Sequence, residues 1–479
     1  MASAAGTTVP GMRSAVGHRL VRIAGHVLAV LVAVAATGAI GAAGIATGVT
    51  APYAPAVDVP PALAAVVSPA PVLDPARPTV AVLVGARGAE VTDVLGPFDA
   101  LASSDAVNVL TVGPATGPVP LTGGLDVVPQ VRLDQLDGLL AAAGTRLAAV
   151  VVPAMPDVDE PSNRPVRDWL RSRPAPLVLS VCYGAGVVGS AGLLDGRTAT
   201  SHWFRLDGLR ERYPQVRWQD GVRWVDDGDL ISTAGVLSGI DGALHLLDRL
   251  AGPEAAARAA ERIGWRHHRP TAGPLPRSGL AAGDAVALLN AGFRWDRPRI
   301  GVLLTDGVGE LELASAFDPY GGQSFAARTV AVGDAPVTTA HGLAVRPRTP
   351  LDRARAEVDR LLVPGRAAAT DGRAGITARA RAVGVEPQFL HAEPGFAFDA
   401  ALADLARTAD VPTARWTAKM LEYPEGDLDL RGPSLPWSLL AWPVLLALAF
   451  AVLLVQVPHA ARWLRARMSG KPPSGRPVS

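Results

Sequence analysis

Cysteine is all but missing: Cys182 is the only one in 479 residues. That excludes an internal disulfide and any cysteine-rich metal site. Lysine is nearly as scarce, with Lys419 and Lys471 alone, so arginine carries almost all the positive charge. Net charge is absent too, at a formal +1, which gives no general attraction to nucleic acid or acidic surfaces. No helix-turn-helix pattern is visible. His267 and His268 stand beside proline with no further ligands clustered near them. No metal, no cofactor and no nucleic-acid partner is therefore expected, which leaves a small-molecule ligand, the lipid bilayer and intramolecular pairing between two α/β domains of this chain.

What is present is apolar. Residues of that kind make up 49% of the chain, enough for buried cores and some membrane. Residues 26–49 and 436–457 contain no Asp, Glu, Lys or Arg. Each is long enough to cross a hydrocarbon core, which needs about 20 apolar residues. Trp437 and Trp442 stand near one end of the second stretch, as interfacial aromatics do. Arg13, Arg19 and Arg22 precede the first stretch, and Arg462, Arg465, Arg467 and Lys471 follow the second. The positive-inside rule then predicts an integral cell-membrane protein with cytoplasmic termini (1–25 and 458–479) and extracytoplasmic central domains. A cleaved signal peptide also fits the first stretch, and cleavage would leave that orientation unchanged.

Residues 50–77, rich in Pro, Ala and Val, read as an extended tether. Strand and helix signals then alternate: strands at 79–84, 108–113, 147–153 and 175–181, and helices after the first strand, at 163–173 and at 183–194. Such alternation implies a parallel sheet covered on both faces. From 298 the pattern begins again, and "RIGVLLTDGVGELELASAFDPY" repeats the opening strand, loop and helix ending in Phe-Asp. Self-similarity of this kind predicts a duplicated domain, 78–266 and 298–421, joined by a linker at 267–297 that has room for a short helix. Residues 422–435 would lead back to the membrane. The second copy lacks the segment that carries the cysteine turn, so it is expected to be degenerate, with Glu312 at the place of Asp93 acting as a surface or capping acid.

"LVLSVCYGAGVVGS" (177–190) reads strand, cysteine, glycine, helix, which is the order of a nucleophile elbow. The helix N-terminus would favour thiolate at Cys182. An inert, packed cysteine suits the same pattern.

The stretch "SVCYGAGVVGSAGLLDGRTATSHW" (180–203) resembles the ThiJ/PfpI family of the class I glutamine amidotransferase-like superfamily, together with "DVLGP" (93–97), "RYPQVRW" (212–218) and "VDDGDLISTAGVLSGIDGALHLL" (225–247). It is most similar to the branch holding isonitrile hydratases and the amidotransferase-like domains of AraC-type regulators. The resemblance implies a flavodoxin-like α/β three-layer sandwich, here duplicated and flanked by two transmembrane helices. It further implies that Asp93, from the first βα turn, lies beside Cys182 and helps hold it as thiolate. Backbone N–H groups of Tyr183 and Ala154 would stabilise developing charge. His202 is an accessory hydrogen bonder near the site. Glu90, three residues before Asp93, is expected to be solvated. Tyr183 stands where relatives carry threonine or histidine, so a Cys–His protease or glyoxalase mechanism has no support. A cysteine-dependent hydrolase or hydratase acting on a small electrophile is one expectation. A non-catalytic sensing or binding module built on the same pocket is the other, and a structural protein that retains an ancestral fold is a third.

Overall fold

In the computed structural model, residues 11–468 are described except 51–52, 57, 157, 160, 173–175, 276–278, 425 and 427. Of the expected tails 1–25 and 458–479, residues 1–10 and 469–479, with Lys471, lie outside the described residues. Helix α1 (Gly11–Thr50) contains the first apolar stretch. The first α/β half follows with β1 (Thr79–Leu83), α2 (Val91–Ala102), β2 (Asn108–Gly113), β3 (Val119–Leu121), β4 (Leu125–Val128), β5 (Val131–Arg132), β6 (Leu147–Val152), β7 (Val178–Ser180), α3 (Gly184–Ser190), β8 (Trp224–Asp226), β9 (Leu230–Thr233) and α4 (Ser238–Ala251). Its sheet runs β8-β9-β7-β6-β1-β2-β5 and is parallel except for the β8–β9 pair. Every residue of β1 and β6 is buried, as in a sheet covered on both faces. This is a flavodoxin-like α/β fold with a mostly parallel sheet.

After α5 (Ala285–Phe293) come β10 (Arg299–Leu303), α6 (Glu310–Phe317), β11 (Arg328–Val332), β12 (Val337–Thr338), β13 (Ala344–Arg346), β14 (Arg360–Val363), β15 (Pro387–Phe389) and α7 (Val411–Met420). The second parallel sheet runs β11-β10-β14-β15, the same succession as β2-β1-β6-β7. Helix α8 (Trp437–Met468) ends the described chain. It packs against α1. Within α1 and α8, Ile23–Ala46 and Leu439–Gln456 are long and apolar enough to cross a membrane, by length and composition only.

Three features depart from the sequence expectations. The helix expected at 183–194 stops at Ser190, and Gly192 takes φ +78° just beyond its end. The tether is held to the body: Leu63 is buried, and the Asn108 side chain grips Asp74. Strands β3 and β4 stand outside the first sheet and join β13 and β12 in an antiparallel sheet that ties the halves together. Alternation of strand and helix could not reveal that pairing, because its partners lie far apart in sequence.

Within this antiparallel sheet, buried Asp126 on β4 holds two largely buried guanidiniums, Arg346 and Arg348. Removing one partner of such a set leaves uncompensated charge, at a typical cost of about 3–5 kcal/mol. Asp126→Ala is therefore predicted to lower the unfolding free energy of the detergent-solubilised chain by an amount of that order, read as a lower urea midpoint. An unchanged midpoint would show that the tie contributes nothing.

Candidate functional site

Cys182 sits between β7 and α3 with φ +55°, a left-handed conformation that L residues other than Asn and Asp rarely adopt. The turn is held from three sides. The Ser201 hydroxyl donates to the Cys182 carbonyl at 2.7 Å. The Val181 N–H donates to the Val152 carbonyl at 2.9 Å. Gly184 lies so close to the Val152 carbonyl that a Cβ there would collide with it. That collision is the physical reason for a glycine two residues after the cysteine.

The β1–α2 turn brings Asp93 to the same place. Asp93 Oδ2 accepts from the Ala154 N–H at 3.0 Å, while the Ala154 carbonyl accepts from the Glu90 N–H at 2.9 Å. Glu90 caps α2, accepting from the Asp93 N–H at 2.6 Å and from the Thr122 hydroxyl at 3.2 Å. Asp93 is completely buried, and the Cys182 thiol is its neighbour. Its Oδ1 has no partner at conventional hydrogen-bond geometry.

Burial dominates the electrostatics. It raises Asp93 well above the ordinary carboxyl range, with Asp318 as a further acidic neighbour. Burial, then the adjacent Asp93, push Glu90 up to about 8. Asp318, reaching in from the end of α6, is raised by burial and by Glu90, and accepts from the Thr92 hydroxyl at 2.7 Å. The Cys182 thiol is likewise raised, first by burial and then by Asp93 and Glu90, against a smaller lowering from the Tyr183 N–H. The expectation of a resting thiolate is thus corrected. The helix N-terminus does favour it, but loss of water and nearby acids outweigh that effect. The shifts of Glu90, Asp93, Asp318 and Cys182 all favour the protonated forms, and since Asp93 Oδ2 accepts an N–H, Oδ1 is the oxygen left for a proton.

The other expected residues fall around this centre. The Tyr183 N–H faces the sulfur. The Tyr183 ring is half-buried, with the Arg205 guanidinium 5.6 Å above it. The Ala154 N–H is committed to Asp93. In place of the oxyanion role expected for it, it fixes the carboxyl. His202 is buried and bonded at both ring nitrogens: Nε2 donates to the Met420 carbonyl at 2.9 Å and Nδ1 accepts from the Phe204 N–H at 3.2 Å. Burial lowers it to about 4, so it is a neutral strut between the halves. Glu312 caps α6, accepting from the Gly309 and Arg366 N–H groups.

Two residues were misread or missed. Glu90, expected in solvent, is 5% exposed; the Glu-x-x-Asp spacing at a helix start was the available signal. Tyr53, placed in the tether, sets its phenol among Glu90, Asp93 and Cys182, and its proton is held more tightly by burial and by those acids. No local pattern marks it.

A cavity of about 1160 Å³ lies over the cluster. Glu90, Ala154, Tyr183 and His202 form its wall on this side, with Tyr53 beside them. Cys182, 8% exposed, and Asp93 lie just behind that wall. Elsewhere, Asp99, Glu310 and His341 bring donor atoms within 4.8 Å of one another. Their carboxylates are already bonded to Leu311 N–H, Ser103, Thr339 and His341, so the cluster accounts for itself as a contact between α2 and α6.

Residues 78–249 match the model of the DJ-1/PfpI family. The isonitrile hydratase of Pseudomonas putida is 36% identical over 169 residues, spanning 34% of this chain and 68% of the hydratase. The HTH-type transcriptional regulator CdhR of Pseudomonas aeruginosa is 32% identical over 159 residues, spanning 32% of this chain but only 44% of the regulator. Among solved structures, a THiJ/PfpI family protein from Pseudomonas syringae is 27% identical, with a TM-score of 0.35 over 41% of this chain and 78% of that one. With transcriptional regulators among the relatives, the expected exclusion of nucleic acid as a partner loses its support.

Glu90 also predicts a pH dependence. Folded Glu90 keeps its proton to about pH 8, whereas the ordinary value is 4.5. Between those values the folded state binds more protons, so stability falls as pH rises through the window. Thermal midpoints are expected to decline from pH 5 to pH 8, and Glu90→Gln should flatten the decline. Equal slopes for both proteins would contradict the assignment.

Proposed function

The chain belongs to the DJ-1/PfpI family, and on that premise we propose that it is a membrane-anchored, cysteine-dependent hydratase or hydrolase acting on an electrophilic carbon. The observation that carries the reading is the left-handed turn at Cys182, which sets the thiol beside a protonated carboxyl under a large cavity. In this scheme the sulfur attacks the substrate carbon and forms an S–C bond. The Asp93 Oδ1 proton moves to the substrate, and the thiol proton replaces it on Asp93. Water then adds to the same carbon, the S–C bond breaks, and sulfur regains a proton, for a net addition of water. Glu90, on the cavity wall and balanced near pH 8, suits the proton transfers of the second step. The Tyr183 N–H faces the position where charge on sulfur develops. The similarity to an isonitrile hydratase supports this class of chemistry.

A second reading, a ligand-sensing module without turnover, is favoured by the burial of the thiol and by the regulator relatives. Cys182→Ser separates the two. Turnover of an isonitrile or nitrile probe should fall at least 1000-fold if the thiol is the nucleophile, with ligand-induced thermal shifts retained. Turnover that survives the substitution would rule out the enzymatic scheme.

In this reading the two halves, 78–266 and 298–421, are copies of one domain, the second degenerate. Reciprocal contacts support it. Asp99 at the end of α2 accepts from the Leu311 N–H at the start of α6, and Asp318 at the end of α6 accepts from Thr92 at the start of α2. Such exchange is the mark of a two-fold interface, here made within one chain. The arginine flanks support cytoplasmic termini and an extracytoplasmic centre. Val72 is 96% exposed, so Val72→Cys in a Cys182→Ser background provides a topology probe. A membrane-impermeant maleimide should label it in intact cells, and labelling only after cell opening would reverse the orientation.

A further inference from the structure

The cavity is far larger than a small hydratable molecule needs. At the roughly 30 Å³ that a water occupies in the liquid, its 1160 Å³ has room for a few tens of heavy atoms. Its walls also change character along its length. At the cysteine end stand Glu90, Tyr183 and Arg205; toward α1 and α5 stand Ile45, Leu288 and Ala291, with Asp284, the partner of Lys419, at the start of α5.

The far end lies at the level where the two apolar helices emerge. Helix α5 packs across both α1 and α8. Gly44 of α1 backs onto Gly292, where an added Cβ would meet the carbonyl oxygen at 2.6 Å, and Gly41 backs onto Phe293. Trp295, just beyond α5, meets Trp442 of α8 with ring centroids 5.8 Å apart. These contacts fall in the last two turns of the Ile23–Ala46 stretch and the first turn of Leu439–Gln456. Two residues that line the cavity here are also strongly exposed: Leu288 at 59% and Leu280 at 72%. Trp295 beside them is 50% exposed. An apolar mouth flanked by tryptophans, at the ends of two membrane-length helices, suits the headgroup boundary of a bilayer.

We propose that the ligand of the Cys182 pocket is a single-chain amphiphile drawn from the bilayer. Its aliphatic chain would lie along α5 and α7, and its polar, electrophilic head would lie at Glu90 and Tyr183. The inference rests on the membrane-anchored cysteine site proposed above and adds the substrate class. An apolar chain already in the bilayer enters the apolar end without a desolvation cost, and the dispersion contacts it makes there position the head at the cysteine end. A polar molecule of the same reactivity would gain nothing from the far end.

The lone thiol makes the test direct. The full chain is placed in phosphatidylcholine nanodiscs, and Cys182 is alkylated with N-ethylmaleimide and with N-dodecylmaleimide. The thiol introduced by Val72→Cys in a Cys182→Ser chain corrects for partitioning. The dodecyl-to-ethyl rate ratio at Cys182 is expected to exceed that at the reference thiol at least 10-fold, and Ala291→Trp should abolish the excess. Ethyl labelling without a dodecyl advantage would overturn the amphiphile while leaving the cysteine pocket standing. No labelling of the folded chain by either reagent, together with no crosslink of the palmitate probe below to any cavity-lining residue, would overturn both. Should Ala291→Trp fail to fold, a diazirine-bearing palmitate crosslinked to the wild-type chain decides. Adducts within 285–291 or 411–420 are expected, and adducts confined to α1 and α8 would refute the proposal.

Discussion

The site depends on three carboxyls buried together at the junction of the two halves. Glu90, Asp93 and Asp318 are each pushed toward the neutral form by loss of water and by one another. Ionising any of them there would place uncompensated charge in a poorly hydrated interior. Their protons substitute for a counter-ion, and the neighbouring thiol comes under the same constraint. On the enzymatic reading proposed above, a thiol kept protonated at rest would be protected from adventitious oxidation, since reactivity follows thiolate character, and would become competent when a bound substrate changed the proton balance.

The constraint explains why the second half is needed although it carries no cysteine. Asp318 and the Met420–Glu422 segment close the site from outside the first sheet. Met420 accepts from His202, and Glu422 accepts from the Ser238 hydroxyl at 2.6 Å. Without them the acids would face water and return toward ordinary values. Tyr53 closes a further side from the segment that leads out of α1. The pocket is thus assembled from parts of the chain that a single α/β domain does not contain.

Much of the fold was legible because parallel βα units announce themselves locally. Buried runs such as 79–83 and 147–152 are short and bounded by turn residues, and the strand order of the second sheet follows the first. The meeting of residues 93 and 182 follows from two βα turns lying at the same edge of the sheet, after β1 and β7, the strands that flank β6. The protonation state was not legible. The helix N-terminus at Gly184 argues for thiolate, and only the depth of burial and the positions of Glu90 and Asp318 reverse the argument. Glu90 reads as a solvated acid because Thr122, Tyr53 and Asp318, which surround it, are distant in sequence. The cavity was illegible for the same reason, since each of its walls comes from a different segment.

The central claim, that Asp93 and Glu90 are uncharged neighbours of the thiol at neutral pH, is most directly tested by infrared spectroscopy of the carboxyl carbonyl stretch. At pH 7 the intact chain should show protonated-carboxyl absorption that loses one component in Asp93→Asn and a different one in Glu90→Gln. A spectrum with no protonated carboxyl, unchanged by either substitution, would contradict the account.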